Sequence, residues 1–233
     1  MNAAQVHQGR AAAERTRVVL LDLDGTLVDT APDMVGALNQ LRREAGHDSL
    51  PLEEVRPLVS HGARALVQMG FPQASGAEFE ALRGRFLDIY RSRLARETKV
   101  YDGLGEALTR LESAGIVWGI VTNKPGWITQ PLLEHLALHQ RAAVVVSGDT
   151  LQQRKPHPAP LLHAAEKLRA SPADCIYVGD AERDVLAAQA AGMRAYVALF
   201  GYIPANERPR DWPASGWLES PALMARWLET LRP

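Results

Sequence analysis

The sequence predicts an α/β fold in which a parallel β-sheet carries helices on both faces, with a small all-helical domain inserted after the first strand. Two observations support this prediction. Short apolar runs alternate with helical patterns from about residue 100 onward, and strands that are apolar throughout are typical of parallel sheets covered on both faces. A long block before this alternation has helical periodicity and no strand pattern.

The first strand is predicted at Val18 to Leu21, four apolar residues in a row. This strand leads directly into three acidic residues, Asp22, Asp24 and Asp29. Two like charges about 4 Å apart repel each other by roughly 4 kcal/mol at an effective dielectric constant of about 20. A buried strand that brings several carboxylates together therefore indicates a site that offsets their repulsion.

The helical block is expected to be a cap domain spanning residues 31–99. Thr30-x-x-Asp33 resembles a capping box at the start of its first helix. A second long helix is indicated by apolar residues at helical spacing between Phe79 and Tyr90. We expect the cap to close over bound substrate, with hinges at Thr30 and near residues 99–102. The catalytic core is then assigned to residues 17–30 and 100–233.

The alternating region is predicted to contain four helices and four strands, each bounded by turn residues. The predicted helices cover residues 103–114, 128–136, 161–168 and 185–191. The predicted strands cover residues 117–121, 142–146, 176–178 and 195–198, the last strand of the chain.

The composition is that of an ordinary soluble globular protein. The 233 residues are 46% hydrophobic and 23% charged, and 26 basic and 27 acidic residues give a net charge of −1. This balance lacks the basic face that nucleic-acid binders need, and no apolar stretch is long enough to span a membrane. Residues 1–16 are expected to be a flexible lead-in, and the single cysteine, Cys175, fits a cytoplasmic location. The sequence does not indicate an oligomeric state.

Polar side chains follow the predicted strands at the point where each strand ends. Ligands of open parallel sheets bind beyond the carboxyl ends of the strands, so these side chains are expected to share one site. A carboxylate can attack phosphorus to form an aspartyl-phosphate, Mg²⁺ offsets the repulsion among carboxylates, and lysine and hydroxyl donors hold phosphate oxygens. The residues that fit a phosphate ester and a divalent cation are Asp22, Asp24, Thr122, Asn123, Lys124, Lys155, Asp180 and Asp184.

Four motifs within this set resemble, in order, those of the haloacid dehalogenase (HAD) superfamily. The resemblance covers nearly the whole chain from about residue 17, and it implies a Rossmann-like core with a helical cap. The motifs are Asp22-Leu23-Asp24-Gly25-Thr26, Val121-Thr122-Asn123-Lys124, Lys155-Pro156 and Gly179-Asp180-x₃-Asp184.

The resemblance implies catalytic roles for the matching residues. Asp22 would be the nucleophile, and Asp24 would protonate the leaving alcohol and then deprotonate the attacking water. Thr122 would bind phosphate through its hydroxyl, aided by the backbone at Asn123. Lys155 would stabilise the nucleophile and the phosphoryl oxygens. Together these roles imply phosphomonoester hydrolysis through an aspartyl-phosphate on Asp22.

The resemblance also implies a Mg²⁺ ion as the cofactor. Asp22 and Asp180 would be ligands through their carboxylates, and Asp24 would offer its backbone carbonyl. Asp184 would contribute directly or through water. The expected partner is a small phosphate ester, with no nucleic acid and no membrane.

The substrate is indicated by two further stretches. Residues 60–65 and 200–204 resemble the N-acetylmuramic acid 6-phosphate phosphatases of cell-wall recycling, so that ester is the expected substrate. Phosphoglycolate phosphatases share the four core motifs, so 2-phosphoglycolate is the alternative. Both esters carry a carboxylate, which Arg64 of the cap is expected to bind, although Arg64 is equally typical of a solvated helix residue. Lys124 borders the expected pocket and is assigned to substrate binding.

Three other classes share parts of this pattern. A halide-displacing dehalogenase does not need the second aspartate, Asp24, whose presence favours a phosphatase. A sugar phosphomutase keeps both aspartates, and the sequence alone leaves that alternative open. A non-catalytic phospho-acceptor also gathers Asp, Thr and Lys on a parallel sheet, but its acceptor follows an internal strand and it lacks the cap insertion.

Overall fold

The computed structural model describes residues 16–233. The expected flexible lead-in therefore lies outside the described residues, apart from Thr16. Thr16 is buried, and its backbone N–H donates a 3.1 Å hydrogen bond to the carbonyl of Arg232. Thr16 thus packs with the core, one residue before the expected boundary. Between residues 16 and 233, no helix is both long enough and apolar enough to cross a membrane.

A six-stranded parallel sheet forms the centre of the protein, and the predicted fold class is confirmed. In order across the sheet, the strands are β5 (Val145–Val146), β4 (Val117–Val121), β1 (Val18–Leu21), β6 (Cys175–Gly179), β7 (Arg194–Ala198) and β8 (Gly216–Leu218). The register places Leu21 opposite Ile120 on one side and Val178 on the other. β1, β4 and β6 therefore end at the same level, and the residues that follow them meet.

Alternate residues of β1 pack against opposite faces of the sheet. Val19 and Leu21 belong to one apolar cluster, and Val18 and Leu20 belong to a second. Because both faces are dry, the strand is apolar throughout rather than alternating. The first cluster includes residues of α5 (Leu104–Ser113), α6 (Gly126–His135) and α9 (Pro221–Leu228), and the second includes residues of α7 (Ala159–Lys167) and α8 (Glu182–Ala190).

Helices occupy most of residues 31–99, a segment between β1 and α5 that we call the helical insertion. Its buried side chains include Leu38 and Phe86, which recur at the helical spacing seen in the sequence. The longest two helices, first and last in the segment, pack against each other. The helices are α1 (Ala31–Glu44), α2 (Leu52–Val55), a 3-10 helix (Arg56–His61), α3 (Gly62–Gly70) and α4 (Gly76–Ser92).

A short antiparallel ribbon joins the helical insertion to the core. β2 (Val28–Asp29) pairs with β3 (Lys99–Val100), and Asp29 lies opposite Lys99. The chain therefore enters and leaves the helical insertion side by side. The sequence analysis found no strand pattern here because a strand of two residues is too short to show a period of two.

Three sequence expectations are wrong in detail. The strand predicted at residues 142–146 is only two residues long, Val145–Val146. Thr30 and Asp33 do not form a capping box, because the Thr30 hydroxyl donates to Asp24 and Asp33 Oδ2 accepts hydrogen bonds from the backbone and hydroxyl of Thr98. The strand at 195–198 is also not the last one, since β8 pairs with β7 and α9 follows it. β8 has three residues at the edge of the sheet, too few for a clear pattern.

Candidate active site

Four of the predicted site residues meet where β1, β4 and β6 end. Asp22 directly follows β1, and its backbone N–H still donates to the carbonyl of Val178 on β6 (2.8 Å). Thr122 follows β4 and Asp180 follows β6. Lys155 reaches the same place from the loop before α7, and its side chain is 1% exposed. The expectation that strand ends would assemble one site thus matches these positions.

Three carboxylates form a compact buried group in this site. Oxygens of Asp22, Asp180 and Asp184 all lie within 4.8 Å of one another, and the residues are 5%, 1% and 1% exposed. Asp180 Oδ1 is buried and has no hydrogen-bond partner among the described residues. Burial, followed by the charges of Asp22 and Asp184, raises the pKa of Asp180 to about 8. Such a group could hold a divalent cation, which would supply the missing partner of Asp180 Oδ1 and offset the repulsion.

Lys155 is the cation already present beside this group. Its Nζ lies 2.8 Å from Asp184 Oδ1 and 2.9 Å from Asp22 Oδ1. The same ammonium donates to the hydroxyl of Tyr177 (2.6 Å) and to the carbonyl of Val121 (3.0 Å). Burial alone would lower the pKa of Lys155, but Asp184 and Asp22 raise it above the usual value. Lys155 therefore stays charged next to Asp22.

The side chain of Asn123 fixes the loop that carries Lys155. Its Nδ2 donates to the Lys155 carbonyl (3.0 Å), and its Oδ1 accepts from the Lys155 N–H (3.1 Å). Both polar ends of the amide are thus used within the protein. The sequence assigned Asn123 to substrate through its backbone, and these contacts leave that backbone role open.

Asp24 faces a different set of partners from Asp22. Its Oδ1 accepts a 2.6 Å hydrogen bond from the Thr30 hydroxyl and a 2.8 Å bond from Lys124 Nζ. The Asp24 carboxylate is not part of the three-carboxylate group. Lys124, assigned to substrate from sequence, has a side chain that is only 6% exposed and pairs with Asp24.

A cavity of about 440 Å³ separates the strand ends from the helical insertion. Asp22 and Asp24 lie on its core side, and Ser60 and Tyr90 lie on its insertion side. Six lysine and arginine side chains line it: Arg64, Arg83, Lys124, Arg154, Lys155 and Arg183. Cationic side chains therefore outnumber the two aspartates that line the cavity, which suits an anionic ligand.

Arg64 lines the cavity, but it already has an acidic partner. Its side chain is 74% exposed and pairs with Glu80 at 3.1 Å, with the guanidinium 5.0 Å from the Phe79 ring centroid. Arg83 also pairs with Glu80, at 2.7 Å. Arg154 differs, because its side chain has no hydrogen bond or ion pair with any residue between 16 and 233. No motif in the sequence pointed to Arg154.

Ser60 and Tyr202 are further residues that the sequence analysis did not assign to the site. The Ser60 hydroxyl donates to Asp180 Oδ2 (2.8 Å), and the Tyr202 backbone N–H donates to the same oxygen (2.7 Å). Arg183 donates to the Ser60 carbonyl (2.6 Å). The only sequence signal was that Ser60 and Tyr202 lie in the stretches 60–65 and 200–204, which resemble one group of phosphatases.

Comparison with known proteins places this geometry among related chains. The family model described as haloacid dehalogenase-like hydrolase matches residues 19–198. A phosphoglycolate phosphatase of Xanthomonas campestris pv. campestris is 47% identical over 205 residues, covering 88% of this chain and 93% of that protein. An N-acetylmuramic acid 6-phosphate phosphatase of Pseudomonas putida is 36% identical over 219 residues, covering 93% and 97%. The crystal structure of a predicted phosphoglycolate phosphatase from Haemophilus somnus 129PT superposes with a TM-score of 0.81 at 25% identity, covering 91% and 97%.

Proposed function

The chain belongs to the haloacid dehalogenase-like hydrolases, and from that premise we propose that it is a Mg²⁺-dependent phosphatase that transfers the phosphoryl group of a small ester to Asp22. The observation that carries the proposal is the position of Asp22. It lies on the floor of the cavity, 2.9 Å from Lys155 and beside Asp180 and Asp184. A nucleophilic carboxylate needs such positive charge to approach an anionic phosphate.

In this proposal, Asp22, Asp180 and Asp184 hold the metal ion. Bound there, Mg²⁺ would neutralise the carboxylates and the charge that develops on the phosphoryl oxygens. The orphaned Oδ1 of Asp180 supports this assignment, because a buried oxygen without a donor requires another positive partner. The backbone carbonyl of Asp24 is the further ligand that the family resemblance implies.

The first chemical step forms a bond between a carboxylate oxygen of Asp22 and phosphorus. The bond between phosphorus and the alcohol oxygen breaks, and its electron pair stays on that oxygen. Asp24, on the same side of the cavity, supplies the proton that makes the departing group a neutral alcohol. Lys155 stabilises the transferring oxygens because its ammonium is fixed beside Asp22.

The second step returns both aspartates to their starting states. Water attacks phosphorus, and Asp24 accepts a proton from that water. The bond between phosphorus and Asp22 breaks, and its electron pair returns to the carboxylate. Inorganic phosphate leaves, so one ester and one water give one alcohol and one phosphate.

Thr122 is assigned to phosphate binding. The residue is 4% exposed and lines the cavity. Its Oγ1 accepts a 3.2 Å hydrogen bond from the backbone N–H of Lys124, and its hydroxyl proton has no acceptor among the described residues. That proton is free to be donated to a phosphate oxygen.

Two esters are the candidate substrates, and both carry a carboxylate. N-acetylmuramic acid 6-phosphate, a cell-wall recycling intermediate, is supported by a cavity of about 440 Å³, which falls within the roughly 300–1,000 Å³ typical of drug-sized ligands. 2-Phosphoglycolate is at least as well supported, because the relative of that name is 47% identical and the relative named for the sugar ester is 36% identical. We assign the carboxylate to Arg154, whose guanidinium has no partner in the described residues.

A cytoplasmic location is part of the same proposal. The chain has one cysteine, Cys175, which is free and buried. Burial raises the pKa of its thiol to about 11, so the thiol is unreactive at neutral pH. A single cysteine cannot form an internal disulfide, which fits a reducing compartment.

The experiment that tests the proposal measures phosphate release from both esters side by side. Each ester is incubated with wild-type protein in Mg²⁺, in chelator, and with Asp22→Asn. We expect release only in wild-type protein with Mg²⁺. A preference of tenfold or more, about 1.4 kcal/mol in transition-state binding, identifies the substrate. Release that survives chelation or Asp22→Asn contradicts the proposed mechanism.

A further inference from the structure

Among residues 16–233, one carboxylate oxygen of Asp24 is held by hydrogen bonds and the other is not. Oδ1 accepts hydrogen bonds from the Thr30 hydroxyl at 2.6 Å and from Lys124 Nζ at 2.8 Å. Oδ2 has no partner among residues 16–233, although Asp24 lines the cavity. An oxygen that already accepts two hydrogen bonds has little capacity left for a ligand. Oδ2 is therefore the atom that remains for the leaving-group oxygen and for water.

Lys124 is held firmly in the position from which it contacts Asp24. Its side chain is 6% exposed, and its ammonium lies 4.9 Å from the centroid of the Tyr90 ring. Burial alone would lower the pKa of Lys124, but Asp24 and Tyr90 raise it above the usual value. Lys124 is thus a permanent cation between a core carboxylate and an aromatic ring.

The ring that covers Lys124 belongs to the helical insertion. Tyr90 lies on α4, is 1% exposed and stacks on Phe86 at a centroid distance of 6.3 Å. Its hydroxyl makes no hydrogen bond of good geometry with any residue between 16 and 233, although it lies near the Lys124 ammonium and helps to raise the pKa of that lysine. The Tyr90 ring thus covers the Lys124 ammonium, and the contact exists only while α4 lies against the core.

We propose that Lys124 is a positioning residue that fixes Asp24 Oδ1, so that Oδ2 faces the leaving-group oxygen, and that Tyr90 holds Lys124 in place. The inference rests on the proposed phosphatase activity and assigns Lys124 a task other than substrate contact. Proton transfer by Asp24 then depends on how the helical insertion packs against the core. If the Tyr90 ring on α4 moves away, Lys124 is no longer held beside Asp24.

The test uses two esters that differ in their need for a general acid. 2-Phosphoglycolate or N-acetylmuramic acid 6-phosphate, whichever is hydrolysed, releases an alkoxide that must be protonated. p-Nitrophenyl phosphate releases a stable phenolate that does not. The measured quantity is kcat/KM, because it includes only steps up to departure of the leaving group and excludes the later attack of water.

Lys124→Met removes the cation at similar side-chain length. We expect kcat/KM for the alkyl ester to fall at least about tenfold, and that for p-nitrophenyl phosphate to fall less than about threefold, since general acid catalysis contributes about 10²–10⁴. Asp24→Asn should show the same selective loss in larger measure. Lys167→Met, at an exposed lysine at the end of α7, is the matched control and should not change the ratio of the two values.

Variants at Tyr90 test the second half of the inference and do not depend on how well Lys124→Met folds. Tyr90→Leu removes the ring and should lower the alkyl-to-aryl ratio of kcat/KM. Tyr90→Phe keeps the ring, so its alkyl-to-aryl ratio of kcat/KM should stay close to that of wild-type protein. Thermal unfolding midpoints check that each variant is folded.

The inference would be overturned if Lys124→Met lowered kcat/KM equally for both esters. It would also be overturned if neither Lys124→Met nor Tyr90→Leu changed the alkyl-to-aryl ratio. Equal loss would mean that Lys124 serves binding or folding rather than the orientation of Asp24. Wild-type protein that is inert toward every ester would instead contradict the proposed function, so the two failures are distinguishable.

Discussion

The hydroxyl of Ser60 donates a 2.8 Å hydrogen bond to Asp180 Oδ2. Ser60 lies in the helical insertion and Asp180 follows β6, so this bond connects the two sides of the cavity. Tyr202 donates its backbone N–H to the same oxygen at 2.7 Å. Because Oδ2 receives two donors, Oδ1 is the oxygen that Asp180 keeps for another partner.

Ser60→Ala is expected to weaken Mg²⁺ binding about tenfold, because a hydrogen bond to a charged group contributes about 1.5–3 kcal/mol and helps to keep Asp180 charged and oriented. Isothermal titration of Mg²⁺ measures the change without relying on turnover. Ser113→Ala is the matched control, since the Ser113 hydroxyl donates to the Thr109 carbonyl within α5. Equal Mg²⁺ affinity in wild-type protein and Ser60→Ala would refute a role for this bond.

Tyr202→Phe is expected to destabilise the folded protein. The Tyr202 hydroxyl accepts from the N–H groups of Thr30 (2.7 Å) and Ala31 (3.0 Å) and donates to Asp29 Oδ1 (2.7 Å). Without it, the buried Thr30 N–H at the start of α1 loses its partner, which costs about 1–3 kcal/mol. Urea unfolding measures this loss.

Tyr196→Phe provides the comparison for that measurement. The Tyr196 ring packs on Trp227 with centroids 4.4 Å apart, and its hydroxyl has no hydrogen bond with any described residue. Its free energy of unfolding should stay within about 0.5 kcal/mol of wild type. If Tyr202→Phe is as stable as Tyr196→Phe, the hydroxyl does not hold the start of α1.

Arg154→Gln is expected to raise KM for the carboxylate-bearing substrate about tenfold or more and to change kcat little, because the guanidinium binds a group away from the reacting phosphorus. p-Nitrophenyl phosphate, which lacks a carboxylate, should be hydrolysed with nearly unchanged KM. Arg64→Gln is the matched variant, and its smaller effect is expected because Glu80 already neutralises Arg64. A larger rise in KM in Arg64→Gln than in Arg154→Gln would instead assign the substrate carboxylate to Arg64, as the sequence suggested.

The metal-free protein is expected to lose stability as the pH rises. Burial, then Asp22 and Asp184, raise the pKa of Asp180 from 3.8 to about 8. Between these values the folded protein retains a proton that the unfolded chain has released, so the stabilisation present at low pH is lost as the pH approaches the folded-state value. Melting temperatures in chelator should therefore fall from about pH 5 to about pH 8.

Two comparisons make that pH prediction specific. Asp180→Asn cannot titrate and should show a smaller fall in melting temperature. Saturating Mg²⁺ should also reduce the fall, because the ion binds the charged form of the folded protein. A melting temperature in chelator that rises over this range would contradict the assigned direction.

The sequence was sufficient for features that depend on local pattern. The apolar run of β1 predicted burial on both faces, and the parallel sheet then required Asp22, Thr122 and Asp180 to meet. β2, β3 and β8 escaped prediction because they contain only two or three residues each and, unlike β5, do not lie within a longer apolar run. Too few positions are present there for a period of two to show.

The partners of individual side chains were the part that could not be predicted. Arg64 fitted a substrate carboxylate by type, but the fold places Glu80 beside it. Thr30 looked like a helix cap, but its hydroxyl reaches Asp24. Likewise, nothing in the sequence indicates that Tyr90 covers Lys124. Such contacts depend on how separate segments of the chain pack in three dimensions, which no local pattern encodes.

The most direct test of the account is to identify the residue that receives the phosphoryl group. Asp24→Asn should accumulate the intermediate from p-nitrophenyl phosphate, because this ester needs no acid for the first step and the variant lacks the base for the second. Acid quenching, proteolysis and mass spectrometry then locate the modification. The account predicts one phosphoryl group on the peptide containing Asp22, and its loss in Asp22→Asn/Asp24→Asn. A phosphoryl group on any other residue, or phosphate release with no covalent intermediate, would contradict it.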